Sequence, residues 1–354
     1  MASGTGAPTP QKLGYFMPPE WHPHESTWLA WPTNRETWPG RVRRIQALFL
    51  EMMRLLASGE RIDLLVDHRK QVEEVRGRLD PAARRRVRFH RIATGDAWIR
   101  DYGPNFLIRS GGEQAAAGFN QWRFNAWGGR YPELAMDGDV PSRLAPLLDM
   151  PRFRPGLVLE GGAIDVDGRG GVLASETCLL NPNRNPGRSR KAVEDRLRSH
   201  LGACRTIWLG DGLPGDDTDG HVDNLARFVR PDTIVCAVEE DSDRPHHRIL
   251  EDNRRRLTLA RRTDGRRYRI LTLPLPSPRE TGLDGLPASY LNFYIANRRI
   301  MVPAFGCRQD ELARKTVQEL FPRRRAVSLN CRDLIRGLGG IHCITLQQPR
   351  AVRG

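Results

Sequence analysis

Four short segments of this 354-residue chain carry side chains able to do chemistry together. The first is Gly339-Gly340-Ile341-His342-Cys343-Ile344-Thr345, which sets a cysteine after two glycines and a short apolar step. The backbone can turn sharply there and expose a thiolate. The second, Gly215-Asp216-Asp217-Thr218-Asp219-Gly220-His221-Val222-Asp223-Asn224, flanks a histidine with acids on both sides. In extended backbone His221 and Asp223 share a face, and nearby carboxylates raise a histidine's pKa. The third, Asp96-Ala97-Trp98-Ile99-Arg100-Asp101-Tyr102-Gly103-Pro104, places Asp101 beside an arginine and shortly after a tryptophan. A surface turn explains that pattern, and so does a carboxylate on an aromatic wall suited to a planar cation. The fourth, Leu159-Glu160-Gly161-Gly162, is either a plain strand end or a glutamate aimed at a ligand that approaches the glycine backbone.

Together these are a thiol, a histidine and three carboxylates. A cysteine hydrolase acting on a neutral amide wants hydrogen-bond donors for an oxyanion, and acids would oppose it. Three acids suit a substrate that is itself a delocalised cation, and a guanidinium fits. Cys343 would then attack the guanidinium carbon, and His221 would protonate the departing ammonia and later activate water. His342 is adjacent to the thiol. On extended backbone neighbouring side chains point to opposite faces, so the expected base is the distant His221. The dense Asp/His loop could bind a divalent ion, but no second histidine stands at ligand spacing. No metal and no organic cofactor is expected.

These segments must be positioned by an alternating scaffold. Apolar residues at Val42, Ile45, Leu48, Phe49, Met52, Leu55 and Leu56 predict a helix over 41–58. Further helices are expected over 71–79, 191–201, 247–260 and 310–320. Strands are expected over 62–66, 87–92, 171–174, 206–209, 233–238, 268–273, 299–302 and 326–329. Alternation of this kind is an α/β reading. One catalytic domain over 15–354 is expected, behind a flexible leader over 1–14.

Net charge is +14, and all but four of the 56 basic residues are arginine. That invites a nucleic-acid partner. The arginines are dispersed apart from triplets such as 84–86, 254–256 and 323–325, and a nucleic-acid binder would not explain the Cys, His and acids in Gly-rich segments. The expected partner is a small cationic guanidino compound, with no nucleic acid and no membrane, and a homo-oligomer is compatible with the sequence. No run of eighteen apolar residues and no apolar leader is present, and none of the six cysteines forms a C-x-x-C pair. Reduced cysteines and a cytoplasmic location follow as expectations.

Long motifs extend the picture: MPPEWHPHESTWLAWP, DAWIRDYGP, WRFNAWGG, LEGGAIDVDGRG, LLNPNRNP, DDTDGHVDN, ASYLNFYIAN, VPAFG and IHCITLQQP. With them the chain resembles the agmatine deiminase and bacterial-type peptidylarginine deiminase family of the guanidine-modifying pentein superfamily. The resemblance implies a pentein α/β propeller of five ββαβ-like units around a pseudo-fivefold axis. It implies Cys343 as nucleophile, His221 as general acid/base, Asp101, Glu160 and Asp223 as guanidinium-holding acids, and Trp98 as a pocket wall. It implies conversion of agmatine to N-carbamoylputrescine, with arginine in a peptide as the alternative substrate and amidino transfer as a more remote one. Three departures stand out. Gly337-Leu338-Gly339-Gly340 replaces the family's common Gly-Gly-Gly-Asn, Asp165 stands where the family often has His, and Tyr102 where a smaller residue is expected.

Overall fold

The computed structural model describes residues 8–109 and 116–351. Its strands form five separate sheets built to one plan. In each, a first strand pairs antiparallel with a second, and a helical segment then carries the chain to a third strand parallel to the second. Ile164–Val166, Gly171–Ser175 and Arg205–Leu209 make one such sheet, with the helix Arg190–Leu201 as its connector. Ala226–Arg230, Thr233–Val238 and Arg269–Pro274 repeat it around Pro245–Leu259. Tyr294–Ile295, Arg299–Ala304 and Arg325–Asn330 repeat it around Gln309–Leu320. Asn105–Arg109, Ala116–Asn120 and Arg152–Phe153 do so around Val140–Leu148, with Tyr15–Phe16 added at the edge.

The remaining sheet is closed by both ends of the chain. Its second strand, His24–Ala30, pairs antiparallel with Leu346–Pro349 and parallel with Arg61–Val66, which continues to Val87–Arg91. Its long connector, Val42–Ala57, buries Ile45, Leu48, Phe49, Met52, Met53 and Leu56 on one stripe, the arrangement its apolar spacing dictates. Local signals set other ends. Ser189 accepts from the Ala192 amide to start Arg190–Leu201, and Gly202, at φ 72°, ends it in the left-handed region.

All the strands and helices expected from the sequence are present to within two residues at each end. The sequence reading missed several first strands, including Asn105–Arg109 and Ala226–Arg230, and the helix Val140–Leu148. Of the segment expected as a flexible leader, Gln11–Leu13 form a 3-10 turn tied down by hydrogen bonds to Pro10, and residues 1–7 lie outside the described part. Some arginines of the triplets have partners within the fold, while Arg84, Arg85 and Arg86 are all exposed. Arg254 and Arg255 pair with Glu251 and Asp252 of their own helix, at 2.7 and 2.8 Å. Arg324 donates to the Ala296 and Trp21 carbonyls.

The repeat decides where the site lies. In every unit a short turn runs directly into the first strand, and these turns hold Asp101, Glu160, His221 with Asp223, Asn292 and Cys343. Five equivalent positions in five units thus converge. The His221 turn depends on a close backbone crossing. A Cβ added at Gly212 would lie 2.2 Å from the Gly220 Cα, and Gly220 itself has φ +100°. Gly212→Ala must push that turn aside. A loss of about 1–3 kcal/mol is expected, read as a lower urea midpoint, together with a drop in activity; an unchanged midpoint would contradict the crossing.

Candidate active site

The Cys343 side chain lies in the turn before Leu346–Pro349 and is 7% exposed. The sequence reading took this stretch as extended; residues 341–344 form a turn instead. That turn is held by Asn292, whose side-chain oxygen accepts from the His342 amide at 2.8 Å. The Asn292 amide nitrogen lies 3.3 Å from the Cys343 Sγ, and the Gly340 amide 3.5 Å. Both donors favour a thiolate. They work against burial, which pushes the thiol well above its usual range, and against the charges of Asp223 and Asp101, which push it further.

His221 is fully buried. Its Nδ1 lies 3.8 Å from Asp101 Oδ1 and its Nε2 3.9 Å from Glu160 Oε2. Burial disfavours the imidazolium, but Asp101 above all, with Cys178 and Glu160, overrides it and raises the His221 pKa well above the usual value. Gly162 lies at the centre of the cluster. A Cβ there would come within 2.6 Å of His221 Nδ1, 3.0 Å of Asp101 Oδ1 and 3.1 Å of Asp223 Oδ2. This is the physical need for glycine after Glu160: the backbone itself touches the catalytic cluster.

The three acids differ in their surroundings. Asp101 accepts from the Trp127 indole at 2.9 Å and the Gly162 amide at 2.9 Å, and burial raises its pKa. Asp223 is likewise buried, but His342 bonds to it at 2.7 Å and draws its pKa below the usual value despite that burial. Its other oxygen, Oδ1, has no partner, which leaves a carboxylate acceptor free for a ligand N–H. Glu160 is held from two sides: Arg184 Nε binds one oxygen at 2.6 Å and the other faces Cys178 and His221. Burial opposes its charge, and His221 with Arg184 outweighs the burial.

The neighbouring His342 is neither idle nor a base for the thiol. Its two ring nitrogens face Asp223 Oδ2 and Glu20 Oε2, each at 2.7 Å. Glu20 is in turn held by Arg227 at 3.0 Å and Arg100 at 3.4 Å, and Arg227 also binds Asp165 at 3.0 Å. Asp165, the residue that departs from the family's usual His, thus anchors a buried arginine. Glu20, Arg227, Arg184, Asn292 and Trp127 were missed in the sequence as site residues. Asn292 alone had a usable signal, since it occupies the fifth of the equivalent turns.

A cavity of about 260 Å³ leads to Cys343 and Asp101. Trp98 and Trp127 wall it, as does the 337–339 glycine segment, and Asn34, Glu36, Asp96, Glu133, Asp217 and Arg336 lie further out. Trp98 packs so closely that a Cβ at Gly339 would lie 2.3 Å from its ring. Leu338 also lines the cavity, at φ +67°, a left-handed conformation that L side chains rarely adopt. In place of the glycine common in the family, it adds a side chain to the wall.

Two substitutions test these supports. Asn292→Ala removes a donor to the sulfur. The pH midpoint for alkylation of Cys343 by iodoacetamide, followed on its own peptide by mass spectrometry, is expected to move up by about 1 unit. An unmoved midpoint would show that the amide only shapes the turn. His342→Gln removes the imidazole hydrogen bond that draws the Asp223 pKa down, so Asp223 takes up its proton at higher pH. The acid limb of the kcat/KM profile should therefore move upward, whereas a purely structural role would lower the profile without shifting it.

Comparison with known proteins identifies the family and the fold. The family profile of the Porphyromonas-type peptidyl-arginine deiminases matches residues 16–349. The agmatine deiminase of Ectopseudomonas mendocina is 38% identical over 364 residues, covering 96% of this chain and 97% of that protein. Among solved structures, the agmatine deiminase of Enterococcus faecalis superposes with a TM-score of 0.90 at 32% identity, over 99% of this chain and 100% of the other. An amidinotransferase from Microseira wollei shares the fold with a TM-score of 0.55 at 13% identity, over 95% of this chain and 97% of its own. The fold is the pentein α/β propeller expected from the motifs, and the chain belongs to the Porphyromonas-type peptidyl-arginine deiminase family of guanidine-modifying hydrolases.

Proposed function

We propose that this protein hydrolyses agmatine to N-carbamoylputrescine and ammonia, with Cys343 as nucleophile and His221 as general acid and base. The observation that carries the substrate choice is the charge of the cavity. Beyond the Asp101 carboxylate it is lined by Glu36, Asp96, Glu133 and Asp217, against the single cation Arg336. Such a lining suits a short chain with a cation at each end. The relatives named agmatine deiminase support the same reading.

The resting site holds a protonated His221 and a neutral thiol, since both pKa values are raised. A guanidinium placed against Asp101 and Asp223 neutralises the charges that oppose a thiolate, so substrate binding itself favours the nucleophile. The Cys343 thiol releases its proton to solvent, and its sulfur bonds to the guanidinium carbon. His221 gives its proton to one nitrogen, that C–N bond breaks and ammonia leaves. The amidino-thioether remains cationic and stays paired with the acids. His221, now neutral, takes a proton from water; the hydroxide adds, the C–S bond breaks and the ureido product departs as the thiol is restored. The role of Glu160 in this reading is to hold His221 and support its charge. The described cysteines are all unpaired and no described helix is long and apolar enough to cross a membrane, which supports a reducing, cytoplasmic setting for a single catalytic domain over 15–354.

The test is an assay of ammonia and ureido product with agmatine, free arginine and an arginine-containing peptide. Agmatine should give the highest kcat/KM, and Cys343→Ala should abolish turnover by at least about 10⁴-fold. Equal or better turnover of the peptide would overturn the substrate choice; product from Cys343→Ala would overturn the mechanism. A pH dependence also follows. Burial raises Asp96 to about 6, against hydrogen bonds from Thr37 and the Ala97 amide. Below that pH this cavity acid is neutral, so KM for agmatine should rise as pH falls through about 6, and Asp96→Asn should show the high KM throughout.

A further inference from the structure

Behind His221, on the side where its Nε2 points, three buried ligand atoms face one another. Cys178 Sγ, Glu160 Oε2 and His221 Nε2 all lie within 4.8 Å of each other. Glu160 Oε2 is 3.9 Å from each of the other two. That is longer than a hydrogen bond from a ring nitrogen to oxygen, and His221 Nε2, in a side chain 1% exposed, has no hydrogen-bond partner.

The three atoms are fixed in place. Arg184 holds the other Glu160 oxygen at 2.6 Å and is itself bound to Asp219 at 2.8 Å and the Thr218 carbonyl at 3.2 Å. The His221 backbone amide is bound by Thr218 Oγ1 at 3.2 Å and Asp216 at 3.3 Å. Cys178 belongs to the short helix Glu176–Leu179.

A point equidistant from three such atoms lies about 2.2–2.5 Å from each, against zinc bonds of about 2.3 Å to sulfur and about 2.0–2.2 Å to nitrogen and oxygen. A contraction of a few tenths of an ångström completes three-ligand coordination, with a fourth position open to water. Thiolate, imidazole and carboxylate are a zinc-type donor set. The charge is also suitable: Asp101 and Asp216 add to Glu160, against Arg184. An open depression lined by Glu176, Thr177, Asp216, Asp219 and Gly220 borders the chain segments carrying Cys178 and His221 and offers an acidic approach.

We propose that Glu160, Cys178 and His221 form an inhibitory binding site for zinc or a similar thiophilic divalent ion. Binding displaces the thiol proton of Cys178 and one imidazolium proton of His221, both to solvent. The ligated imidazole can neither protonate ammonia nor take a proton from water, so turnover stops until a chelator removes the ion. The inhibitory effect rests on the acid/base role of His221 proposed above; the binding itself does not.

The experiment titrates metal-free protein with Co²⁺, reading the thiolate-to-cobalt charge-transfer absorption, and with Zn²⁺, reading calorimetry and ammonia release from agmatine. Wild type and Cys343→Ser should both bind one equivalent of cobalt with the thiolate band. Cys178→Ser should lose the band and need at least tenfold more zinc for half-inhibition, relative to its own metal-free rate. A band lost in Cys343→Ser and kept in Cys178→Ser would place the ion on the nucleophile and overturn the proposal, as would the absence of zinc binding to wild type by calorimetry. If Cys178→Ser does not fold, the band in Cys343→Ser still decides, with Glu160→Gln as the weakened variant. A cobalt result as expected beside inert agmatine would retain the metal site and reject only the substrate.

Discussion

The structure is organised around a concentration of buried negative charge. Asp101, Glu160 and Asp223 are all withdrawn from water within one cluster, with Asp216 beside them. Desolvated carboxylates repel one another and resist ionisation. The fold meets each differently. Glu160 is paired with Arg184, Asp223 is hydrogen-bonded to His342, and Asp101 is left with two neutral donors and a distant imidazolium. The Cys343 thiol is suppressed by two of these same acids, Asp223 and Asp101. On the proposed reading, nucleophile and substrate site are a single electrostatic device: a planar cation placed against the acids also frees the sulfur.

Asp223 is supported from behind. Glu20, Arg100, Arg227, Asp165 and His342 form a buried ionic network that reaches Asp223 from behind. Removing one member of such a network strands a charge, which costs more than the pair contributes. Its members come from distant parts of the chain, from the N-terminal segment to the C-terminal turn, and the network ties these parts together. The pairing of Leu346–Pro349 with His24–Ala30 performs the same service for the two ends of the chain and places Cys343.

The sequence disclosed the chemistry more fully than the supports. Cys343, His221, Asp101 and Asp223 stand in Gly-rich, polar segments that a strand or helix does not explain, and the structure brings them together. The strands read from the sequence include central, largely apolar ones such as Thr233–Val238 and alternating edge strands such as Arg325–Asn330. Those missed, such as Asn105–Arg109 and Ala226–Arg230, carry polar or arginine residues that mask the pattern; Arg227 is fully buried yet reads as a surface residue. Glu20 and His342 are 322 positions apart and bond at 2.7 Å, a pairing no local periodicity reveals. The Glu160–Arg184 pair is hidden for the same reason, since Arg184 lies in a loop whose sequence gives no sign of burial.

The central claim is that a guanidinium held by buried carboxylates is attacked by Cys343. Mass spectrometry of protein quenched in acid during agmatine turnover tests it most directly. The account predicts an adduct equal in mass to agmatine less ammonia on the peptide that carries Cys343, forming and decaying with product formation. Steady ureido product with Cys343 unmodified at every time point, or the adduct on another cysteine, would contradict it.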